Sequence, residues 1–333
     1  MKKSLIALAV LGSFAGAAFA QSATLYGKLD VGYGIGNGGA FEGVKGNDSK
    51  FQQWGNQRTT SRWGLRGSED LGNGLQAYFR LESKIDPESG STGSKLFDRA
   101  AYVGLSGNFG SVQAGRQNTV INNVLSQFDV SGSPNTTSAL GNAGLSAISQ
   151  NLGGNTYARV DSAIAYISPN FSGFSFQAAV IAKNDDILGL GSNAKTVYTL
   201  GGSYNYGGFT IGAAYESKLA DGMSASWGIG AKYDFGTFLI SGGYFDNHLN
   251  ADGKGFYLGA SAPFGAFTVG AQVAYNSDAA GDLDPLAWEL FGTYDLSKRS
   301  QLYLQYGGVN SDAEDWLGAS RKYSVGFGLI HNF

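Results

Sequence analysis

The chain has 333 residues, with 23 Lys and Arg against 26 Asp and Glu, a formal net charge of −3. It has no cysteine, which excludes disulfides, thiol nucleophiles and thiolate metal sites, and it lacks the basic excess of a nucleic-acid reader. Its 52 glycines are about twice the usual share, and aromatics reach 13% with only 5 prolines. That mixture favours β structure over a low-complexity chain.

In chain order, Lys2 and Lys3 precede an uncharged apolar run over 5–18, which ends in Ala18-Phe19-Ala20. This pattern predicts a secretory signal peptide over 1–20, followed by a single domain over 21–333. The apolar run is short for a membrane-spanning helix. Beyond it, period-2 alternation recurs to the end. In 74–82, Leu75, Ala77, Phe79 and Leu81 share one face, while Gln76, Tyr78, Arg80 and Glu82 share the other. In 266–276, Phe267, Val269, Ala271, Val273 and Tyr275 oppose Thr268, Gly270, Gln272 and Asn276. Such alternation means half-exposed strands.

The spacing predicts sixteen strands, at about 24–34, 58–69, 74–84, 97–106, 111–117, 158–168, 174–183, 194–206, 208–217, 223–235, 237–246, 254–262, 266–276, 285–295, 300–309 and 322–333. Short and long connections alternate between them. The longest, over 117–157, is unusual for a compact domain and points to a functional loop. The expected fold is therefore all-β, a 16-stranded antiparallel transmembrane β-barrel with short turns on one side and long loops on the other. A sheet in lipid must close, because an open edge leaves backbone groups unpaired. A barrel this wide encloses water.

Polar and glycine-rich faces then line the lumen, and Leu, Val, Ala and Phe face lipid. Tyr33, Trp63, Tyr102, Tyr206, Tyr233, Phe235 and Tyr294 fall near strand ends, where an aromatic girdle is expected. A soluble sandwich fits less well, since sixteen such strands would call for two domains and no linker is visible. The final strand alternates through Tyr323, Val325, Phe327, Leu329 and His331 to a terminal Phe333. That terminal aromatic reads as an assembly signal for the outer-membrane barrel machinery.

Four segments resemble the Gram-negative general porins of the neisserial, Bordetella and Burkholderia type. They are SATLYGKLDVGY at 22–33, SRWGLRGSEDLGNGL at 61–75, RAAYVGLSGNFGSVQAGRQ at 99–117 and RVDSAIAYISPNFSGFSF at 159–176, together with Phe333. The resemblance implies periplasmic turns, extracellular loops, a homotrimer, and a third loop (117–157) folded into the pore. The implied setting is the outer membrane, among its lipids and lipopolysaccharide. The implied function is passive diffusion of ions and small hydrophilic solutes, with no cofactor and no catalysis.

Selectivity in such a pore follows from bore and lining charge. Arg62, Arg66 and Arg80 share the inward parity, joined by Lys28. Arg99 resembles a wall arginine of the family, although its parity conflicts with Val103 and Leu105. Arg116 and Arg159 flank the third loop. Together these form the expected basic wall of the constriction. Family members often carry several carboxylates on the third loop, whereas here the acids are Asp129 within it and Asp161 just beyond. A modest anion preference follows, unless Asp30, Glu69, Glu82 or Asp98 neutralise the arginines.

Other functions are weaker. A substrate-selective channel for anionic nutrients would show a saturable site. A barrel enzyme needs a His base, and the chain has only His248 and the outward-facing His331. Those two are also too far apart in sequence to suggest a metal site. An adhesive barrel would be plugged by bulky residues. The GxGxxG run at 34–39 precedes no helix, the 135–137 sequon reads as plain loop, and acids at 282–284 and 312–315 read as solvated surface.

Overall fold

The computed structural model describes residues 22–35, 51–93, 95–132, 138, 139, 143, 158–183, 193–247, 253–277, 282–317 and 322–333. The segment 1–20, the 135–137 sequon and His248 lie outside them.

Seventeen strand segments make one closed antiparallel sheet. They are β1 (Ser22–Ile35), β2 (Gln52–Gly55), β3 (Arg62–Gly72), β4 (Leu75–Lys84), β5 (Ala100–Gly107), β6 (Gly110–Asn118), β7 (Arg159–Ile167), β8 (Phe174–Ile181) and β9 (Val197–Tyr206). The remainder are β10 (Phe209–Glu216), β11 (Ser226–Asp234), β12 (Leu239–Asn247), β13 (Gly253–Phe264), β14 (Phe267–Asn276), β15 (Leu286–Asp295), β16 (Ser300–Val309) and β17 (Tyr323–Asn332). From β3 to β17 successive strands pair, and β1 closes the ring against β17, with Lys28 opposite Asn332 and Ile35 opposite Val325. β2 and β3 both pair with β1, end to end, and share one position. The barrel therefore has sixteen staves.

The sequence spacing treats that second stave as one strand starting at 58. The structure breaks it at 56–61, where Asn56 takes a φ of 64°. The local reason is Asp30. Its Oδ2 accepts from the Arg58 and Thr59 amides, each at 2.7 Å, so these amides turn to a side chain instead of a neighbouring strand.

Alternation sorts the faces as expected. On β11, Trp227, Ile229 and Tyr233 are exposed, whereas Ser226 is buried. Aromatics stack in two tiers on the outer face. Tyr233–Phe235 and Phe267–Tyr294 lie at the short-turn end, at centroid separations of 4.5 and 4.4 Å. Trp227–Tyr244 and Trp288–Tyr306 lie at the loop end, at 5.4 and 5.2 Å. Such belts suit a membrane–water boundary. Tyr102 departs from this expectation. It alternates with the exposed Val103 and meets Tyr78 edge-on, so it faces inward.

The larger of two buried apolar clusters is not a sandwich core. It forms where the third connection packs on the inner wall. Helix α1 (Val120–Leu125) is capped by Thr119, whose hydroxyl accepts from the Asn122 amide, and runs into a 3-10 turn over Ser126–Phe128. Val120, Ile121, Val124, Leu125 and Phe128 are all buried. A second helix, α2 (Ser311–Leu317), sits within a connection read from sequence only as a long loop.

Candidate functional site: the inner wall and the third loop

The third loop crosses to the wall opposite β1–β5. Phe128 seats against β11, where a β-carbon at Gly230 would strike its ring. Leu125 meets Gly228 in the same way, so missing side chains on the wall make room for the loop. The Phe128 carbonyl accepts from Ser241 Oγ at 2.6 Å and from the Tyr257 hydroxyl. Farther along, the Ser131 carbonyl accepts from Arg58 Nη2 at 2.9 Å, and Ser131 Oγ accepts from Gln272 Nε2 at 3.1 Å. The guanidinium of Arg58 also lies 5.4 Å from the Phe291 ring centre. The loop tip is thus tied to β12, β13, β14 and the 56–61 break.

The free side of the lumen is the basic wall. Register places Lys28, Arg62 and Lys84 in one row across β1, β3 and β4. Tyr26, Gly64 and Glu82 make the next row, and Thr24, Arg66, Arg80 and Tyr102 the one after, nearer the turns. Glu82 is buried at the centre. Arg80 Nη2 lies 2.5 Å from its Oε2, Arg99 Nε 2.7 Å from its Oε1, and the Tyr26 hydroxyl donates to it at 2.9 Å. Arg80 Nε also donates to Tyr26 at 2.8 Å.

The parity conflict of Arg99 disappears here. Arg99 precedes β5, so alternation does not bind it. It reaches in to Glu82 while Val103 and Leu105 remain exposed. Among the described residues, Lys28, Arg62, Arg66 and Arg159 have no carboxylate within ion-pair distance. Arg159 has Arg99, Glu82, Arg62 and Arg116 as its electrostatic neighbours, which draws it into the same cluster.

Two expectations need correction, those for Arg116 and Asp129. Asp161, just beyond the loop, lies in β7 as the strand spacing implies, and it binds Arg116 Nη1 at 2.7 Å as well as Lys95. Arg116 is correspondingly spent on Asp161 and on the Asp98 carbonyl, 2.6 Å from Nε, instead of standing open on the wall. A register irregularity between Gly115 and Gln117 disrupts the parity that would have aimed it. Asp129 does lie on the loop, but it is buried and folds the tip. Its Oδ1 accepts from the Ser131 amide at 2.9 Å and hydroxyl at 2.7 Å.

Sequence reasoning passed over Arg58 and Tyr303, and read Asp30 only as a possible counter-charge for the wall arginines. The Tyr303 hydroxyl donates to Asp30 Oδ1 at 2.7 Å, joining β16 to β1. A signal for the break existed in Asn56-Gln57-Arg58-Thr59-Thr60, five polar residues where alternation fails. Phe333 sits at the turn end, where its amide and carbonyl bond Gly27, at 3.0 and 2.9 Å. His331 is exposed and bonds Ser300 at 2.9 Å. Among the described residues no group of three His, Cys, Asp or Glu could hold a metal.

A closed sixteen-stave barrel with an apolar outside, a charged inner wall and a loop seated within it defines the class of outer-membrane channel barrels. A family model described as Gram-negative porin matches residues 7–314. The chain belongs to that family, and its place is the bacterial outer membrane. An outer membrane porin protein of Bordetella pertussis is 40% identical over 190 residues, covering 53% of this chain and 47% of that protein. The major outer membrane protein P.IB of Neisseria meningitidis is 32% identical over 228 residues, covering 65% and 60%. The chain spans about half the length of the first of these curated relatives. Among solved structures, an anion-selective porin from Comamonas acidovorans superposes with a TM-score of 0.75 at 26% identity, covering 94% of this chain and all of that one. An outer membrane protein of Vibrio cholerae in trimer form has the same fold, with a TM-score of 0.64 at 15% identity over 94% of this chain and all of that one.

Proposed function

We propose that the chain forms a water-filled channel for passive diffusion of ions and small hydrophilic solutes, with a modest preference for anions. The observation that carries this is the charge imbalance on the free wall. Lys28, Arg62, Arg66 and Arg159 have no carboxylate in ion-pair reach, while one carboxylate, Glu82, serves both Arg80 and Arg99. An anion on this path gains at the Lys28–Arg62–Lys84 row and again at the Arg66–Arg80 row, and a cation finds no open carboxylate on the loop, since Asp129 is turned into its own backbone. The anion-selective relative supports the same sign. Salt screens the effect, the Debye length being about 10 Å at 0.1 M, so the preference stays modest.

The basic constriction comprises Lys28, Arg62, Arg66, Arg80, Arg99 and Arg159, with Arg116 stiffening its edge. The assembly we propose is a homotrimer, as the Vibrio relative's form suggests, in outer-membrane lipid with lipopolysaccharide outside. Phe333 is the group offered to the barrel assembly machinery, after removal of 1–20 on export. The deciding experiment is reversal potential across a planar bilayer under a tenfold KCl gradient. Stepwise conductance with chloride preference is expected. Folded protein that does not conduct would end the channel reading.

A further inference from the structure

On the turn side of the cation cluster the inner wall holds a recess of about 330 Å³, lined by Thr24, Arg66, Ser68, Tyr78, Arg80 and Tyr102. Its parts are fixed. The Tyr78 ring lies over Gly104, where a β-carbon would come within 2.5 Å of it, and its hydroxyl donates to Gln113 at 3.0 Å. Tyr102 stands edge-on to Tyr78, with centroids 6.3 Å apart and planes at 83°. Arg66 and Arg80 flank the Tyr26 ring, at 5.2 and 5.6 Å from its centre.

The two arginines differ in state. Arg80 is matched by Glu82 and holds the Tyr26 hydroxyl. Arg66 is exposed, and among the described residues its N–H donors meet no protein acceptor. The recess therefore presents one guanidinium, that of Arg66, with its donors open, while Arg80 shares Glu82 with Arg99. The ring beneath Arg66 orients its planar fork, which suits a carboxylate taken by two parallel hydrogen bonds. Beside it stands a tyrosine pair, whose faces and edges favour a flat aromatic ring. The volume is near the lower end for ligand pockets, which limits the guest to about one ring.

We propose that this recess is a binding site for aromatic monocarboxylates of the benzoate class. Arg66 grips the carboxylate, the ring packs against Tyr102 and Tyr78, and the Thr24 and Ser68 hydroxyls border the site. The site deepens the channel reading, because a solute leaving the cation cluster toward the turns meets it next. One guanidinium with open donors takes one carboxylate, and the tyrosines separate a flat ring from a small aliphatic acid.

The test is calorimetric titration of the folded, detergent-solubilised protein with benzoate, cyclohexanecarboxylate and acetate at constant ionic strength. Benzoate should saturate at one site per chain and bind at least fivefold tighter than cyclohexanecarboxylate, with acetate weaker still. Arg66→Gln should abolish saturation, and Tyr102→Val should weaken benzoate at least fivefold. Wild-type protein that binds benzoate no better than acetate overturns the site without any variant. So does a Tyr102→Val protein that folds and keeps wild-type affinity. KCl conductance measured on the same preparation separates the two proposals: a conducting protein that fails to select benzoate loses the site and keeps the channel.

Discussion

Reversing the charge of Arg62 tests the selectivity argument most directly. Arg62 has Lys28 and Lys84 as register partners and no carboxylate in ion-pair reach among the described residues. An ion passing about 6 Å from its guanidinium through water feels ~0.7 kcal/mol per unit charge. Screening at 0.1 M salt lowers that to ~0.4 kcal/mol. Arg62→Glu changes the charge by two, so chloride loses ~0.8 kcal/mol and potassium gains as much. The combined ~1.6 kcal/mol corresponds to about a tenfold swing of the permeability ratio toward potassium. Reversal potential under a tenfold KCl gradient reads this ratio, with unitary conductance confirming an intact pore. A swing below twofold in a normally conducting channel would mean that the wall charges do not govern selection.

Four more outcomes are expected. Glu82→Gln should raise chloride preference while lowering the unfolding midpoint in urea, since the buried Arg99 loses its counter-charge, at a cost of about 3–5 kcal/mol; an unchanged midpoint would place Arg99 in solvent instead. Phe128→Ala should loosen the third loop by about 3–5 kcal/mol, seen as protease cleavage within 119–131 that the wild type resists. Arg58→Gln removes the tie to the Ser131 carbonyl and should increase open-channel noise with little change in mean conductance; quiet traces would show the tip held without it. Phe333→Ala should reduce the outer-membrane yield in cells more than refolding in detergent; equal losses would make Phe333 a matter of stability rather than of assembly.

Much of the barrel was legible because period-2 alternation is a local signal. Sixteen staves, their bounds to within a few residues, and the inward parity of Lys28, Arg62, Arg66 and Arg80 all follow from it. Legibility ends where the chain leaves the ladder. Arg99 stands one residue before β5, Arg116 stands at a register irregularity, and Arg58 stands in a break, so no parity rule applies to them. Asp129 was visible as an acid, but its burial depends on the tight turn it makes with Ser131. The resemblance implied an inward loop, yet its seat depends on glycines of β11 about a hundred residues away in sequence.

The glycine seat also divides two tasks between separate parts of the chain. The sheet sets the circumference, because sixteen staves fix how wide the cylinder must be. In the channel we propose, the aperture would be set by how thick an insert the wall carries and by how far Lys28, Arg62 and Arg159 reach from the other side. A change at Leu125, Phe128 or the glycines beneath them can therefore widen or narrow the passage while every ladder hydrogen bond stays in place. Passage size is, in this architecture, adjustable by single side chains inside a frame that need not be rebuilt.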